Sequence, residues 1–459
     1  MTVVAGGASS ARAVGGLLPA PGAPLLAVER LTRDALLSPR GKVVKVLGLV
    51  IEATGPAGAV GDLCRLRVSR GAGDVLAEIV GFRDDRLLLM PLGEMDGVAP
   101  GAEVTPLGCP LTAPAGTSLL GRVLDGVGRP IDGRGRLDNL SMVPTRSAPP
   151  DPLARRRVAE PLPTGVRALD GLLTVGLGQR IGIFAGSGVG KSTLLGTIAR
   201  RTEADVNVIG LIGERGREVR EFIERDLGQE GLARSVLVVA TSDAPPQIRR
   251  QAAFTATAIA EWFRDQGRRV LLMMDSLTRF ATAQREVGLA IGEPPTTRGY
   301  TPSVFATLPR LLERAGTSPG NGAITGLYTI LVEGDDHNEP VADHARSILD
   351  GHIVLSRELA ERGHYPAIDV LASVSRCMPD VVTGGHLAAV QTLRALMAAR
   401  REVEPLLALG AYKAGALPTA DRAIRKWNDI EAYLQQAVDD ASTFETTAGR
   451  LAALIGESA

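Results

Sequence analysis

The sequence predicts an α/β core built on a parallel sheet, preceded by a small β-barrel and followed by a helical domain. Three observations predict it. The stretch Phe184-Ala-Gly-Ser-Gly-Val-Gly-Lys-Ser-Thr193 sets a Gly-rich loop between an apolar strand-like run and a helical pattern. From about residue 179 to 274, near-continuous apolar runs alternate with amphipathic stretches, as strands covered on both faces do. Ahead of them, between Lys42 and Leu107, short β-rich runs are punctuated by Gly and Pro, the mark of a small barrel. At 459 residues the chain has length for about three domains.

Taken in order, Met1–Pro24 is Gly-, Ala- and Pro-rich without periodicity and reads as a mobile tail. Leu25–Leu37 carries apolar residues at helical spacing and reads as a surface helix or docking segment. The barrel follows, with strands expected at Val43–Ile51, Leu63–Val68, Val75–Phe82 and Arg86–Pro91, giving a barrel unit over 25–107. Leu119–Leu137 reads as a turn-rich connector. Within the nucleotide-binding unit, 108–380, strands are expected at Gln179–Phe184, Val206–Ile212, Val236–Ala240, Val270–Met274, Ile324–Leu331 and His352–Leu355. Helices are expected at Lys191–Arg201, Gly216–Asp226 and Gln247–Gln266. From 381 onward the pattern is helical, clearest over Leu387–Val403 and Asp421–Val438.

Composition excludes several classes. Lys plus Arg number 51 and Asp plus Glu 51, so no net positive charge draws the chain to nucleic acid. Aromatics make up 3% of residues, too few for a base-stacking platform. The three cysteines, Cys64, Cys109 and Cys377, have neither metal-ligand nor redox spacing and read as reduced, packed residues. The five histidines show no metal spacing and read as structural or surface residues. No apolar run approaches the roughly 18–20 residues of a membrane-spanning helix. The N-terminus lacks a basic region followed by an apolar core. A cytoplasmic location is expected, with only peripheral membrane association.

Strand, Gly-rich loop and helix together form the context in which a phosphate-binding loop is credible, although Ala185 stands where the usual pattern begins with Gly. Gly186, Ser187, Gly188, Val189 and Gly190 would wrap backbone N–H groups around phosphate oxygens, and the helix N-terminus favours an anion. Lys191 reaches the outer phosphates, the Ser192 hydroxyl can ligate Mg²⁺, and Thr193 completes the loop. Ligands of open parallel sheets sit beyond the carboxyl ends of the strands. Two further strands end there in polar residues, Glu214-Arg215 after 206–212 and Asp275 after 270–274. Asp275 has the place of a carboxylate that holds Mg²⁺; the alternative is a cap for the following helix. Glu214 can polarise an attacking water, with Arg215 offsetting phosphate charge; the alternative for the pair is a surface ion-pair cluster. Arg279 is either a phosphate-side cation or a partner for one of these carboxylates.

Gly-Ser-Gly-Val-Gly-Lys-Ser, Gly-Glu-Arg-Gly-Arg-Glu-Val and Met-Met-Asp-Ser-Leu-Thr-Arg-Phe resemble the catalytic subunits of rotary ATP synthases. The stretches Gly292–Phe305, Glu333–Pro340, Ile348–Arg357 and Gly363–Arg376 resemble, more closely, the type III secretion export ATPases, and among them the flagellum-specific ATPase. The resemblance runs from about Ser38 to the C-terminal helices. It implies a RecA-like P-loop core, Mg·ATP hydrolysis and a homohexameric ring. It also implies a coiled-coil central stalk protein, a dimeric regulator, an export gate and chaperone–substrate complexes as partners, at the inner face of the cell membrane.

Residue by residue, the resemblance places the catalytic glutamate at Glu214 with Arg215 beside it, and the magnesium-holding groups at Ser192 and Asp275. The aromatic that packs on adenine falls on Tyr365, and an arginine finger reaching a neighbouring subunit falls on Arg376. The Gly292–Pro302 segment is either a contact for a rotating or threading partner or a tight inter-helix loop. Only Leu25–Leu37 could dock a regulator, since Met1–Pro24 holds a single charged residue. Three rivals make distinct demands. An injectisome ATPase would depart from the Asp335–Pro340 wording, which looks more flagellar, and a rotary synthase subunit would need a second, non-catalytic homologue in its ring. A hexameric nucleic-acid translocase would want basic charge.

Overall fold

The computed structural model describes residues 40–456 except Pro56, 69–72 and 333–338. The expected tail, the Leu25–Leu37 segment, and most of the Glu333–Pro340 motif with His337 lie outside the described residues.

Six antiparallel strands close a barrel in the order β1-β2-β5-β4-β3-β6. They are β1 (Gly41–Leu47), β2 (Val50–Thr54), β3 (Asp62–Leu66), β4 (Val75–Arg83), β5 (Arg86–Pro91) and β6 (Glu103–Pro110). Alternate residues such as Ile51, Leu66, Ile79 and Leu89 fill the interior, as period-two side-chain alternation requires. The single strand expected over Val43–Ile51 is a hairpin instead. Gly48 takes φ +55°, which lets the chain reverse at Gly48–Leu49 and sets Leu47 opposite Val50.

After the barrel, β7 (Thr112–Ala115) pairs with β9 (Ser141–Pro144), and between them lies β8 (Val123–Asp125). The connector expected at Leu119–Leu137 therefore contains a strand, and β8 forms one edge of the main sheet. The other strands are β10 (Arg180–Ala185), β11 (Val206–Glu214), β12 (Ser235–Thr241), β13 (Arg269–Asp275), β14 (Gly316–Thr317), β15 (Ala323–Leu331), β16 (Gly351–Leu355) and β17 (Ile368–Ser375). Their order is β17-β16-β10-β15-β13-β11-β12-β8, with β14 beside β15. All run parallel except β14 and β17. The carboxyl ends of β10, β11 and β13 therefore meet on one edge of the sheet.

Both faces are covered. Helices Pro246–Asp265, Leu277–Ile291, Pro302–Leu312 and Pro340–Ile348 pack on one through residues such as Ile259, Phe263, Phe280 and Leu308. Helix Lys191–Arg201 and the C-terminal helices Gly384–Ala408, Pro418–Leu434 and Phe444–Ile455 cover the other through Ile198, Leu393, Ile430 and Leu451. The helix expected to run to Val438 stops at Leu434, because Gln435 turns to ψ 132° and the next backbone N–H, that of Gln436, donates to the Tyr365 carbonyl. The Gly292–Pro302 segment joins two helices through a short turn at Thr297–Gly299. No helix among the described residues is long and apolar enough to cross a membrane.

One buried carboxylate ties the barrel to the sheet domain. Glu78, on β4 and 1% exposed, accepts hydrogen bonds from Arg146, from Arg250 at 3.0 Å and from Gln247 at 2.5 Å, with Gln251 also donating. Three of these donors lie on the single helix Pro246–Asp265. Removing one partner of a buried ion pair leaves the other charge uncompensated, at a cost of about 3–5 kcal/mol. Glu78→Ala is expected to lower the urea midpoint by a stability loss of that order; a loss below about 1 kcal/mol, typical of exposed pairs, would show the junction to be held by other contacts.

Candidate active site

The loop after β10 turns sharply into the helix it serves. Gly188 and Gly190 take φ +81° and +83°, where side chains are strained, and Gly190 caps the helix that Lys191 opens. A Cβ on Gly190 would also stand 3.2 Å from Tyr365 Cε1, so the loop and Tyr365 approach closely. Gly186 and Val189 are buried, while Ser187 and Ser192 present exposed side chains. At the end of β11 the register against β12 slips between Ile212 and Glu214, with Gly213 at φ +71°. Such a bulge re-aims the following side chain. Gly213 is held from outside by Arg279, whose Cβ would lie 2.9 Å from any Cβ placed there.

Three distant segments thus deliver their charges to one point. The Lys191 ammonium pairs with Asp275 Oδ1 and lies 3.4 Å from Glu214 Oε1. Asp275 also accepts from the Thr329 hydroxyl at 2.6 Å. The helix after β13 is capped by Ser276, whose Oγ accepts from Arg279 N–H at 3.2 Å; Asp275 is left for Lys191 and Thr329. Burial pushes the Glu214 carboxyl up to about 7, and the Asp275 charge adds to this against the pull of Lys191. Burial works against the Lys191 cation, yet the Asp275 and Glu214 carboxylates raise its pKa overall. The site therefore keeps one cation between two carboxyls, one of which holds its proton easily.

Beside this cluster opens a cavity of about 390 Å³, within the range of small-ligand sites. Tyr365, Pro366, Val166, Leu194, Gln436 and Val438 line it, with Gly188, Gly190 and Thr193 at the phosphate-loop side. The wall at 435–440 comes from the C-terminal domain and is strapped down by two arginines. Arg167 donates to the Tyr433 carbonyl at 3.0 Å and to that of Gln435, and pairs with Asp440. Arg201, at the end of the P-loop helix, donates to the Val438 carbonyl at 2.5 Å and to that of Asp440. None of these residues stands out in the sequence: an arginine bonding carbonyls of a distant loop has no local pattern.

Two expected site residues are not in this cluster. Arg215 is 78% exposed and pairs with Glu218 at 3.2 Å, the helix-start ion pair that was its alternative reading. Arg376 is exposed and follows β17, whose Ser375 pairs with Gly351 at the opening of β16. Since β16 and β10 run parallel, Arg376 lies at the opposite edge of the sheet from the P-loop. The six residues of β10 span on the order of 20 Å at about 3.3 Å each. Each described histidine has a protein partner, for example His386 Nε2 2.8 Å from the Gly171 carbonyl and His344 Nε2 3.2 Å from that of Phe305. No group of three or more metal-ligating side chains occurs among the described residues.

Comparison with known proteins bears on this geometry. The nucleotide-binding domain of the ATP synthase alpha/beta family matches residues 165–375 and that family's beta-barrel domain matches 43–108. The T3SS EscN ATPase C-terminal domain matches 382–453. A flagellum-specific ATP synthase of Bacillus subtilis is 54% identical over 91% of this chain and 95% of its own. A type 3 secretion system ATPase of Xanthomonas euvesicatoria is 55% identical over 89% and 92%. The chain belongs to this family of flagellar and type III secretion ATPases. Its fold follows that of the assembled ATPase EscN of the enteropathogenic E. coli type III secretion system, with a TM-score of 0.85 and 48% identity, over 91% of this chain and all of EscN. EscN in complex with its central stalk EscO matches with a TM-score of 0.84 and 47% identity over the same share of this chain and, again, all of EscN. This ATPase thus shares both its three-part architecture and its overall shape with solved relatives.

The Glu214 shift has a sign that can be measured. Its folded pKa is raised from 4.5 to about 7, so its contribution to stability is complete below pH 4.5 and lost as pH rises through about 7. Glu214→Gln abolishes that loss. Without nucleotide, the variant is expected to melt above wild type at pH 8, the gap narrowing toward about pH 5, while ATP turnover falls at least ~10²-fold. An equal gap at both pH values would show that Glu214 does not titrate in this range.

Proposed function

We propose that this ATPase hydrolyses Mg·ATP as a homohexameric ring and energises protein export through a flagellar, type III apparatus. The observation that carries the chemistry is the convergence of Lys191, Glu214 and Asp275 beside the phosphate loop. Relatives named for the flagellum and for type III secretion match at 54% and 55% identity, which supports a role in export; the flagellum is our reading from the Asp335–Pro340 wording.

The residues fit a magnesium nucleotide. The Ser192 hydroxyl stands exposed on the first helical turn, and the nearly buried Asp275 carboxylate lies across from it on β13. Magnesium usually takes few protein ligands, completing its shell with water and phosphate. Ser192 and Asp275 would hold the ion, which when bound neutralises charge on the outer phosphates. Backbone N–H groups of Gly186 to Gly190 would take phosphate oxygens. Lys191 would leave its two carboxylates for the β- and γ-phosphates. That departure removes the cation nearest Glu214 and makes its carboxylate more basic; in its ionised form it would orient a water and accept its proton. The water oxygen bonds to the γ-phosphorus as the bond to the β–γ bridging oxygen breaks and ADP departs. Tyr365 would pack on the base in the 390 Å³ cavity. To reach the phosphate, Arg215 would have to give up Glu218.

The place of Arg376 supports completion by a neighbour. From the far edge of the sheet it cannot reach its own P-loop, and in the proposed ring that edge would face another subunit's site. EscN, a solved relative, is an assembled ATPase found with a central stalk, EscO; a stalk of that kind, together with a dimeric regulator, chaperone–cargo complexes and a gate at the inner membrane face, belongs to the same proposal.

ATP turnover per chain, followed against protein concentration, tests this reading. Wild type is expected to climb steeply as rings form, and Arg376→Ala to stay lower by ~10³–10⁵, the usual worth of an arginine finger. Turnover that stays flat until a second homologous protein is added would instead make this chain one half of a mixed ring.

A further inference from the structure

The strand between the P-loop strand and the Asp275 strand carries a hydroxyl that the mechanism so far leaves unused. β15 pairs with β13 with Tyr328 opposite Met274, which sets Thr329 alongside Asp275. On its other side Thr329 pairs with Ile183 of β10. It is fully buried in a strand whose residues are all buried except the last. Its Oγ1 lies 2.6 Å from Asp275 Oδ1 and 3.4 Å from the Met274 carbonyl. A threonine hydroxyl has one proton to donate, and the nearer, charged acceptor takes it.

Asp275 Oδ1 therefore accepts from two donors, Lys191 and Thr329. They differ in what they can do next. Lys191 sits at the end of a long flexible stem and is the group that leaves for phosphate. Thr329 is β-branched, restrained at χ1 and fixed in a central strand. We propose that Thr329 is a positioning residue: it holds the Asp275 carboxylate in orientation once Lys191 has gone, so that the magnesium-bound nucleotide meets a preset ligand. The inference rests on the Mg·ATP reading of the site. A threonine that merely satisfied a buried carboxylate would affect folding alone and leave the metal dependence of binding untouched.

The experiment is a titration of the full chain with a fluorescent methylanthraniloyl derivative of ADP, in excess EDTA and across a magnesium series, with melting temperatures recorded alongside. Wild type is expected to bind the probe more tightly with magnesium. Thr329→Val is expected to keep the EDTA affinity and lose roughly 10-fold of the magnesium-dependent gain, the scale of one hydrogen bond to a charged group. Its half-saturating magnesium concentration rises accordingly. Thr329→Ala, which removes the same hydroxyl with less steric demand, must behave alike, and Thr329→Ser must restore the gain. A wild-type magnesium gain in the Val and Ala variants, or failure of Ser to restore it, overturns the role of Thr329 and leaves the site assignment standing. If wild type itself binds the probe no better with magnesium, the Ser192 and Asp275 assignment falls, and the Thr329 proposal with it.

Discussion

Everything at the working edge of this protein depends on one half-buried cation, the Lys191 ammonium, set between two carboxyls. Bringing Glu214 and Asp275 together beneath a water-poor surface is costly, because like charges repel and each loses solvation. Lys191 offsets that cost through its contacts with both. The remainder shows as a Glu214 proton held to about pH 7. The arrangement is a closed ion-pair network, and in the proposed mechanism the nucleotide would compete for its cation. In the proposed mechanism phosphate entry would do two things at once: capture Lys191 and strip Glu214 of its compensating charge. Thr329 matters in this light because it is the donor to Asp275 that cannot follow Lys191.

The rest of the fold serves to deliver these groups and to close the space beside them. Parallel pairing puts three strand ends on one edge, and the bulge at Gly213 turns Glu214 inward. The cavity wall comes from the opposite end of the chain, where Arg167 and Arg201 fasten the 435–440 strap to the nucleotide domain. At the other edge β17 runs back antiparallel: its beginning brings Tyr365 to the P-loop and its end carries Arg376 away from it. A single edge strand so joins one subunit's cavity to the face that a neighbour would meet.

Much of this was legible in the residue order wherever the cause is local. The Gly-rich turn, the polar residues terminating apolar strands and the punctuated barrel runs all act over a few neighbours. Reading failed where a contact between distant segments decides. Val43–Ile51 reads as one strand because Val and Ile dominate it, and only the φ of Gly48 shows the hairpin. Val123–Asp125 is too short to read as a strand and exists because β12 offers it an edge. The helix expected to reach Val438 breaks where Gln436 meets Tyr365. Arg215 follows Glu214, yet it turns outward to Glu218, because adjacent residues leaving a strand point to different sides.

By itself the sequence determined the chemistry on offer: a phosphate loop, a lysine, a hydroxyl and two strand-terminal carboxylates, each encoded by its immediate neighbours. The tertiary structure alone decided how these meet. That Lys191 bridges Glu214 and Asp275, that Thr329 shares Asp275 with it, that two arginines strap the cavity wall, and that Arg376 stands a sheet's width from its own P-loop are facts of strand order and register. Strand order and register come from packing among segments far apart in the chain, and no local pattern of residues carries them.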